Sequence, residues 1–233
     1  MAQRVVLASA SPRRSELLAL LGLPFRVVAA EVDERPRRGE AGRALARRLA
    51  RAKALAVVPD ADELVLAADT VVLLGGAILG KPADEAEATA MLRRLRGRRH
   101  EVYTAVAGRG ATGRLVERGV ASQVWLRALS DAEIADYVAS GDPLDKAGAY
   151  AVQSQAYALV HRLVGCYANV VGLPLCATGE TLAALGAHTG ARAVCYEMLG
   201  HDVVVPREPA GLALGGAVQR AGGADRREEE QRV

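Results

Sequence analysis

Apolar residues recur in this chain with two alternating rhythms, and each rhythm predicts a different element. Arg4 to Ala8 is a short apolar run ending in Ser-Ala-Ser-Pro-Arg-Arg, which predicts a buried strand leaving into a loop. Ser11 stands where it can cap a following helix, with Pro12 at the first helical position and Leu17, Leu18 and Leu21 on the inner face. Gly22 and Pro24 stop that helix. Phe25 to Ala30 predicts a second strand ending at Glu31-Val32-Asp33-Glu34. From Ala41 to Val58, the residues Leu45, Leu49, Ala52 and Ala56 recur at helical spacing with arginines opposite, the pattern of a long amphipathic helix.

Leu64 to Ala68, bounded by acids, predicts a central strand that delivers Asp69 at its C-terminal end. Val71 to Leu74, Gly75-Gly76 and Ala77 to Leu79 predict a hairpin. Asp84 caps a helix to about Leu95, and two strands, about Val102 to Gly108 and Leu115 to Leu126, meet at a Gly-Ala-Thr-Gly turn. Ser130 with Glu133 forms a capping box, and Gly141 closes its helix. A loop from Asp142 to Gly148 leads to strand-like runs at Tyr150 to Gln153, Ala158 to Leu163 and Ala168 to Val171. Pro174 opens a last helix to about Leu185. This order predicts an α/β fold, a twisted sheet with flanking helices and no internal repeat. From about Pro206 the composition turns to Gly, Ala, Arg and Glu. A folded unit over 1–200 and a solvated, poorly ordered extension over 206–233 are therefore expected.

With 51% hydrophobic residues, 233 residues suffice for one large core or for two lobes around a cleft. No apolar run reaches the roughly 18 residues that a membrane span needs, and the apolar start is too short for a secretory signal, so no membrane partner is expected. Cys166, Cys176 and Cys195 are odd in number and lack metal-site spacing, as befits small buried hydrophobes in a reducing cytoplasm. The net charge of +3 is mild and the arginines are interleaved with acids, so no nucleic-acid partner is expected. The identity of the cations says more. Of 30 basic residues only Lys53, Lys81 and Lys146 are lysine, and Asn169 is the single asparagine. A lysine that survives such a bias marks a place where a compact ammonium is needed and a planar guanidinium does not fit.

Ser9, Ser11, Arg13 and Arg14 lie in the first strand-to-helix turn, where backbone N–H groups, hydroxyls and forked guanidinium groups suit a phosphate-bearing ligand. The plain alternative is capping serines and solvated first-turn arginines. Glu34 and Asp69 each end a strand-like run, the place where open α/β sheets bind ligands. Two carboxylates converging there suit a hard divalent cation, and one could orient a water; the plain alternative is a pair of solvated turn acids. Ammonium groups at Lys53, Lys81 and Lys146 suit a polyphosphate chain. His100, His161, His188 and His201 are scattered and receive no role.

Taken together these segments resemble the Maf nucleotide pyrophosphatases. The resemblance is carried by Leu-Ala-Ser-Ala-Ser-Pro-Arg-Arg (7–14), Val-Asp-Glu (32–34), Ala-Asp-Thr-Val-Val (68–72), Gly-Lys-Pro (80–82), Gly-Asp-Pro-Leu-Asp-Lys-Ala-Gly-Ala-Tyr-Ala-Val-Gln (141–153) and Asn-Val-Val-Gly-Leu-Pro-Leu (169–175). It implies a mixed α/β fold akin to the inosine-triphosphate pyrophosphatases, with two lobes around a deep cleft, usually as a homodimer. It also implies hydrolysis of a nucleoside triphosphate to the monophosphate and pyrophosphate with Mg²⁺ or Mn²⁺. Asp69 matches the catalytic base, and Glu34 matches a carboxylate of the metal and catalytic site. Ser9, Arg13, Arg14, Lys53 and Lys81 match the phosphate-binding and catalytic set, and Lys146 lies in the longest shared block. Arg13, Thr70 and Gln153 fall where substrate choice differs between branches, and they look like the branch acting on dTTP and UTP. A glutamine amide can pair with the N3–H and O4 of uracil or thymine. Two other readings remain: a non-catalytic nucleotide- or nucleic-acid-binding regulator of septum formation, and a pyrophosphatase for 7-methyl-GTP or non-standard purine triphosphates.

Overall fold

The structure, a computed structural model, describes residues 4–154, 156–187 and 189. The first strand, β1 (Arg4–Leu7), has Val5, Val6 and Leu7 fully buried, so it must be covered on both faces. It pairs in parallel with β2 (Phe25–Val27) on one side and with the first four residues of β3 (Glu63–Leu74) on the other. A short hairpin strand, β4 (Ala77–Leu79), folds back on the far end of β3 through Gly75 and Gly76, both at positive φ, as a two-residue turn requires. From β3 onward the ladder is antiparallel through β5 (Arg99–Gly110), β6 (Leu115–Leu126) and β7 (Val160–Val164). The strand order of this seven-stranded mixed sheet is β2-β1-β3-β5-β6-β7, with β4 beside β3.

Helices close both faces. On one, α1 (Pro12–Ala19), α5 (Tyr167–Val171) and α6 (Leu175–Ala184) bring Leu17, Leu18, Ala168, Leu175 and Leu182 onto Leu7, Leu66, Ala68 and Val106. On the other, α2 (Gly42–Ala56) lays Leu45, Leu49 and Ala54 against Val6, Val65, Ala67 and Ala105. A third cluster sits at the opposite end of the same strands, where α3 (Glu85–Leu95) and α4 (Asp131–Ala139) pack on Val72, Leu79, Val102 and Val124. Two lobes share one sheet.

The cleft between them follows from strand length. β1 pairs with β3 only to Leu66 and β4 pairs with it only from Val72. Residues 67–71 of β3 therefore have no strand on that edge among the described residues. Asp69 and Thr70 lie in this gap. Successive residues of a strand point to opposite faces, so Asp69 turns toward α2 and Thr70 toward α1 and α5.

Several expectations meet their structural cause here. Asp84 and Ser130 cap α3 and α4 as expected, the latter in a capping box with Glu133. Ser11 caps α1 without a side-chain bond, and the nearby Ser9 Oγ accepts from the Ser11 N–H at 3.2 Å instead. Asp69 does not end its strand. The alternation after Ala68 continues to Leu74 and stays paired with β5, so the acid sits mid-strand at an open edge. Tyr150 to Gln153 is irregular, following two short 3-10 turns at Asp142–Asp145 and Ala147–Ala149. The run Ala168 to Val171, three apolar residues around Asn169, is helical; four residues are too few for either period to show. No helix among the described residues is long and apolar enough to cross a membrane. Cys195, His188, His201 and the expected extension over 206–233 lie outside the described residues.

One buried side chain stitches α5 to the sheet. Asn169 Oδ1 accepts from the Thr104 N–H at 3.1 Å, and its Nδ2 donates to the Val102 carbonyl at 3.0 Å and to Ser122 Oγ at 2.9 Å. Asn169→Leu leaves these buried groups unpaired and is expected to lower unfolding free energy by on the order of 3 kcal/mol, read from the urea midpoint. An unchanged midpoint would contradict this role.

Candidate active site

α2 is amphipathic, and its inner face carries one charged residue where every neighbour is apolar. That residue is Lys53, 7% exposed. Its Nζ lies 2.7 Å from Asp69 Oδ1 and 2.6 Å from Glu34 Oε1. One ammonium thus holds two carboxylates, one nearly buried on β3 and one half open on the loop after β2. The remaining oxygen of each acid makes no hydrogen bond among the described residues. Lys81, exposed after β4, has no ion pair among the described residues, and its charge acts on Glu34.

The two acids are held in opposite senses. Burial pushes the Asp69 carboxyl above its ordinary value, and the charges of Lys53 and Arg14 offset this only in part. Burial also pushes Glu34 up, but the hydrogen bond and charge of Lys53, with Lys81 and Arg14 behind, outweigh it and leave Glu34 low. An ionised carboxylate thus stands beside one whose proton affinity is raised, a pairing suited to acid–base work.

On the other face of β3, Arg14 threads from α1 to the strand. Its Nε donates to the Gly172 carbonyl at 2.9 Å, Nη1 to Ser9 Oγ at 3.2 Å and Nη2 to Thr70 Oγ1 at 3.3 Å. Gly172 has φ +128°, a backbone conformation that side chains rarely adopt, so the chain turns at this point on a residue without one. Burial pushes the Arg14 guanidinium below its ordinary pKa, while Asp69 and Glu34 pull it back, so this cation belongs electrostatically to the acid pair.

Beyond Thr70 opens a narrow groove of about 50 Å³ whose walls include Arg13, Thr70, Lys146, Tyr150, Val152 and Gln153. Arg13 Nη1 reaches across it to Asp145 Oδ2 at 3.0 Å. Lys146 Nζ donates to Asp145 Oδ1 at 2.6 Å, and to the carbonyl and Oδ1 of Asp142 at 2.6 and 3.0 Å. An ammonium has three N–H donors, so those of Lys146 are all engaged by its own loop. Gln153 is exposed at the groove and makes no hydrogen bond among the described residues.

The structure therefore groups the sequence candidates into two linked sets. Asp69, Glu34, Lys53 and Lys81 form one, Arg13, Thr70, Lys146 and Gln153 the other, and Arg14 with Ser9 joins them. Three participants were not singled out from the sequence as site residues: Asp145, Asp142 and Thr104. The first two stand inside the longest shared block beside Lys146, a signal that was available. Thr104, fully buried within an apolar strand, had none. His100 is a core group, 2.6 Å from Tyr150 Oη, and burial lowers it to about 4.

As hard oxygen donors, Asp69 and Glu34 fit a divalent cation of the Mg²⁺ or Mn²⁺ kind. No cluster of three or more His, Cys, Asp or Glu that could hold a metal occurs among the described residues. A cation here would need phosphate oxygens and water to complete its shell.

Residues 4–185 match the family model described as Maf-like protein. The chain is 51% identical over 187 residues to a dTTP/UTP pyrophosphatase of Sphingopyxis alaskensis, covering 80% of this chain and 98% of that protein. It is 52% identical over 189 residues to a dTTP/UTP pyrophosphatase of Anaeromyxobacter dehalogenans, covering 80% and 96%. Among solved structures it is similar to the Staphylococcus aureus Ham1 protein, at 17% identity and a TM-score of 0.40, over 68% of this chain and 92% of that one.

Removing the ammonium should expose the strain between the acids. Lys53→Met leaves the nearly buried Asp69 carboxylate without its cation and repelled by Glu34, whose exposure screens the repulsion, and is expected to lower stability at neutral pH by on the order of 2 kcal/mol. Protonation relieves that repulsion, so the deficit against wild type should shrink as pH falls through the carboxylate range. Chemical denaturation at several pH values checks this, and a deficit that is constant or grows on acidification would contradict it.

Proposed function

Because this chain belongs to the Maf family, we propose that it hydrolyses dTTP and UTP between the α and β phosphates, releasing the nucleoside monophosphate and pyrophosphate. The observation that carries this reading is the Glu34–Lys53–Asp69 cluster, set at an open strand edge beside a groove lined by Arg13, Thr70 and Gln153. The acid pair and the groove share one strand.

Asp69 is the general base. Its Oδ1 is pinned by Lys53, so the carboxylate cannot swing, and its other oxygen is left for a water. That water attacks the α phosphorus, its proton passes to Asp69, and the bond from the α phosphorus to the bridging oxygen breaks. Arg14, Lys53 and Lys81 supply positive charge where the phosphates gather it, with Arg13 and Ser9 at the groove side. A Mg²⁺ or Mn²⁺ ion held by Asp69 and Glu34 would neutralise phosphate oxygens and stabilise the departing pyrophosphate. Lys146, through Asp142 and Asp145, shapes the loop that walls the groove and presents Gln153 to the base.

A triphosphate substrate from the general nucleotide pool supports a cytoplasmic site of action. The likeness to the Maf pyrophosphatases supports a homodimer. The net charge of +3, spread among acids, supports no nucleic-acid partner.

Two experiments test this. With Mg²⁺ or Mn²⁺ present, pyrophosphate release should be fastest from dTTP and UTP in a panel that includes CTP, ITP and 7-methyl-GTP. A leading rate on ITP or 7-methyl-GTP would replace the pyrimidine reading. Asp69→Asn should lower kcat by roughly 10³-fold or more. The variant should not melt lower than wild type at neutral pH, since the raised pKa means that ionised Asp69 is disfavoured by folding. Retained turnover in Asp69→Asn would remove it from the role.

A further inference from the structure

Selectivity in the groove depends on where one proton sits. The hydroxyl oxygens of Thr70 and Thr104 are 2.9 Å apart, a distance that leaves the donor undecided. The neighbours decide it. Thr104 Oγ1 also lies 2.9 Å from the Asn169 backbone carbonyl, which can only accept, and Thr104 has one proton to give. Turning that proton toward Thr70 would take a donor from a carbonyl in a region where Thr104 and Asn169 are fully buried. Asn169 cannot shift to compensate, because its side-chain amide is fixed by the Thr104 N–H, the Val102 carbonyl and Ser122. The Thr70 hydroxyl therefore donates to Thr104. On its other side Thr70 Oγ1 accepts from Arg14 Nη2, a group that can only donate. One lone pair of Thr70, and no proton, is left to face the groove.

We propose that Thr104, held by Asn169, is a positioning residue that fixes Thr70 as a hydrogen-bond acceptor, and that this fixed polarity selects a base presenting an N–H. The inference rests on the reading of the groove as the base site of a pyrophosphatase. Uracil and thymine carry a donor at N3, whereas cytosine carries a lone pair there and would meet Thr70 acceptor to acceptor. Gln153 cannot make this choice alone. Its amide has no hydrogen bond among the described residues, and a half-turn exchanges its carbonyl and NH₂, so it pairs with either pyrimidine edge. Discrimination needs a group that cannot turn.

The measurement is the ratio of kcat/KM for UTP to that for CTP in the full-length protein. Thr104→Val removes the acceptor and frees the Thr70 proton to turn into the groove, so the ratio should fall about tenfold or more. Thr104→Ser keeps the hydroxyl and should keep the wild-type ratio. Should Thr104→Val fail to fold, Thr70→Val tests the same claim from the groove side and should collapse the ratio, while Thr70→Ser preserves it. A ratio unmoved by either valine variant, with UTP still hydrolysed, overturns the proposal and leaves the proposed function standing. A wild type that releases no pyrophosphate from UTP overturns that function itself.

Discussion

A single ammonium between two carboxylates, at a stretch of strand that has lost its neighbour, is the interaction on which the site depends. The sheet must open there, because β1 is too short and β4 starts too late to cover residues 67–71 of β3. An open edge alone would admit water to the core. Lys53, rising from α2, satisfies the buried oxygen of Asp69 and fastens the Glu34 loop over the gap. Charge, not packing, seals this part of the molecule.

The same arrangement distributes two tasks over one strand. Asp69 faces the lobe side covered by α2 and meets the cationic cluster, while its neighbour Thr70 faces α1 and α5 and meets the groove. A ligand lying along the open edge would touch both, because alternation places adjacent side chains on opposite faces. Arg14 spans the divide, with its hydrogen bonds on the Thr70 side and its charge felt by both acids. Under the proposed function, chemistry and recognition are coupled through a two-residue step, Asp69-Thr70.

Much of this was legible in the sequence, for reasons that can be named. Helix caps at Asp84 and Ser130 were readable because capping is local. The scarcity of lysine pointed to Lys53, and the structure supplies the cause: a compact point charge fits between helix and strand where a forked guanidinium would not. What stayed hidden was non-local. No pattern in Leu64 to Ala68 shows that the strand would run past Asp69, since its continuation depends on pairing with β5, some 35 residues away by register. The helical state of Ala168 to Val171 was hidden too, since four residues are too few to show a period. Thr104 matters through its partners alone. Lys146 was correctly marked as unusual, yet its hydrogen bonds go to its own loop, a distinction that composition cannot draw.

The most direct measurement is a carboxyl-carbon NMR titration of Asp69 and Glu34 in the wild-type protein and in Lys53→Met. If Lys53 bridges both acids as the geometry has it, burial outweighs the ammonium at Asp69, which titrates above the ordinary aspartate value, the ammonium outweighs burial at Glu34, which titrates below the ordinary glutamate value, and both move up in Lys53→Met. Two unshifted, independent titrations would contradict the shared ammonium, and with it the site built around it.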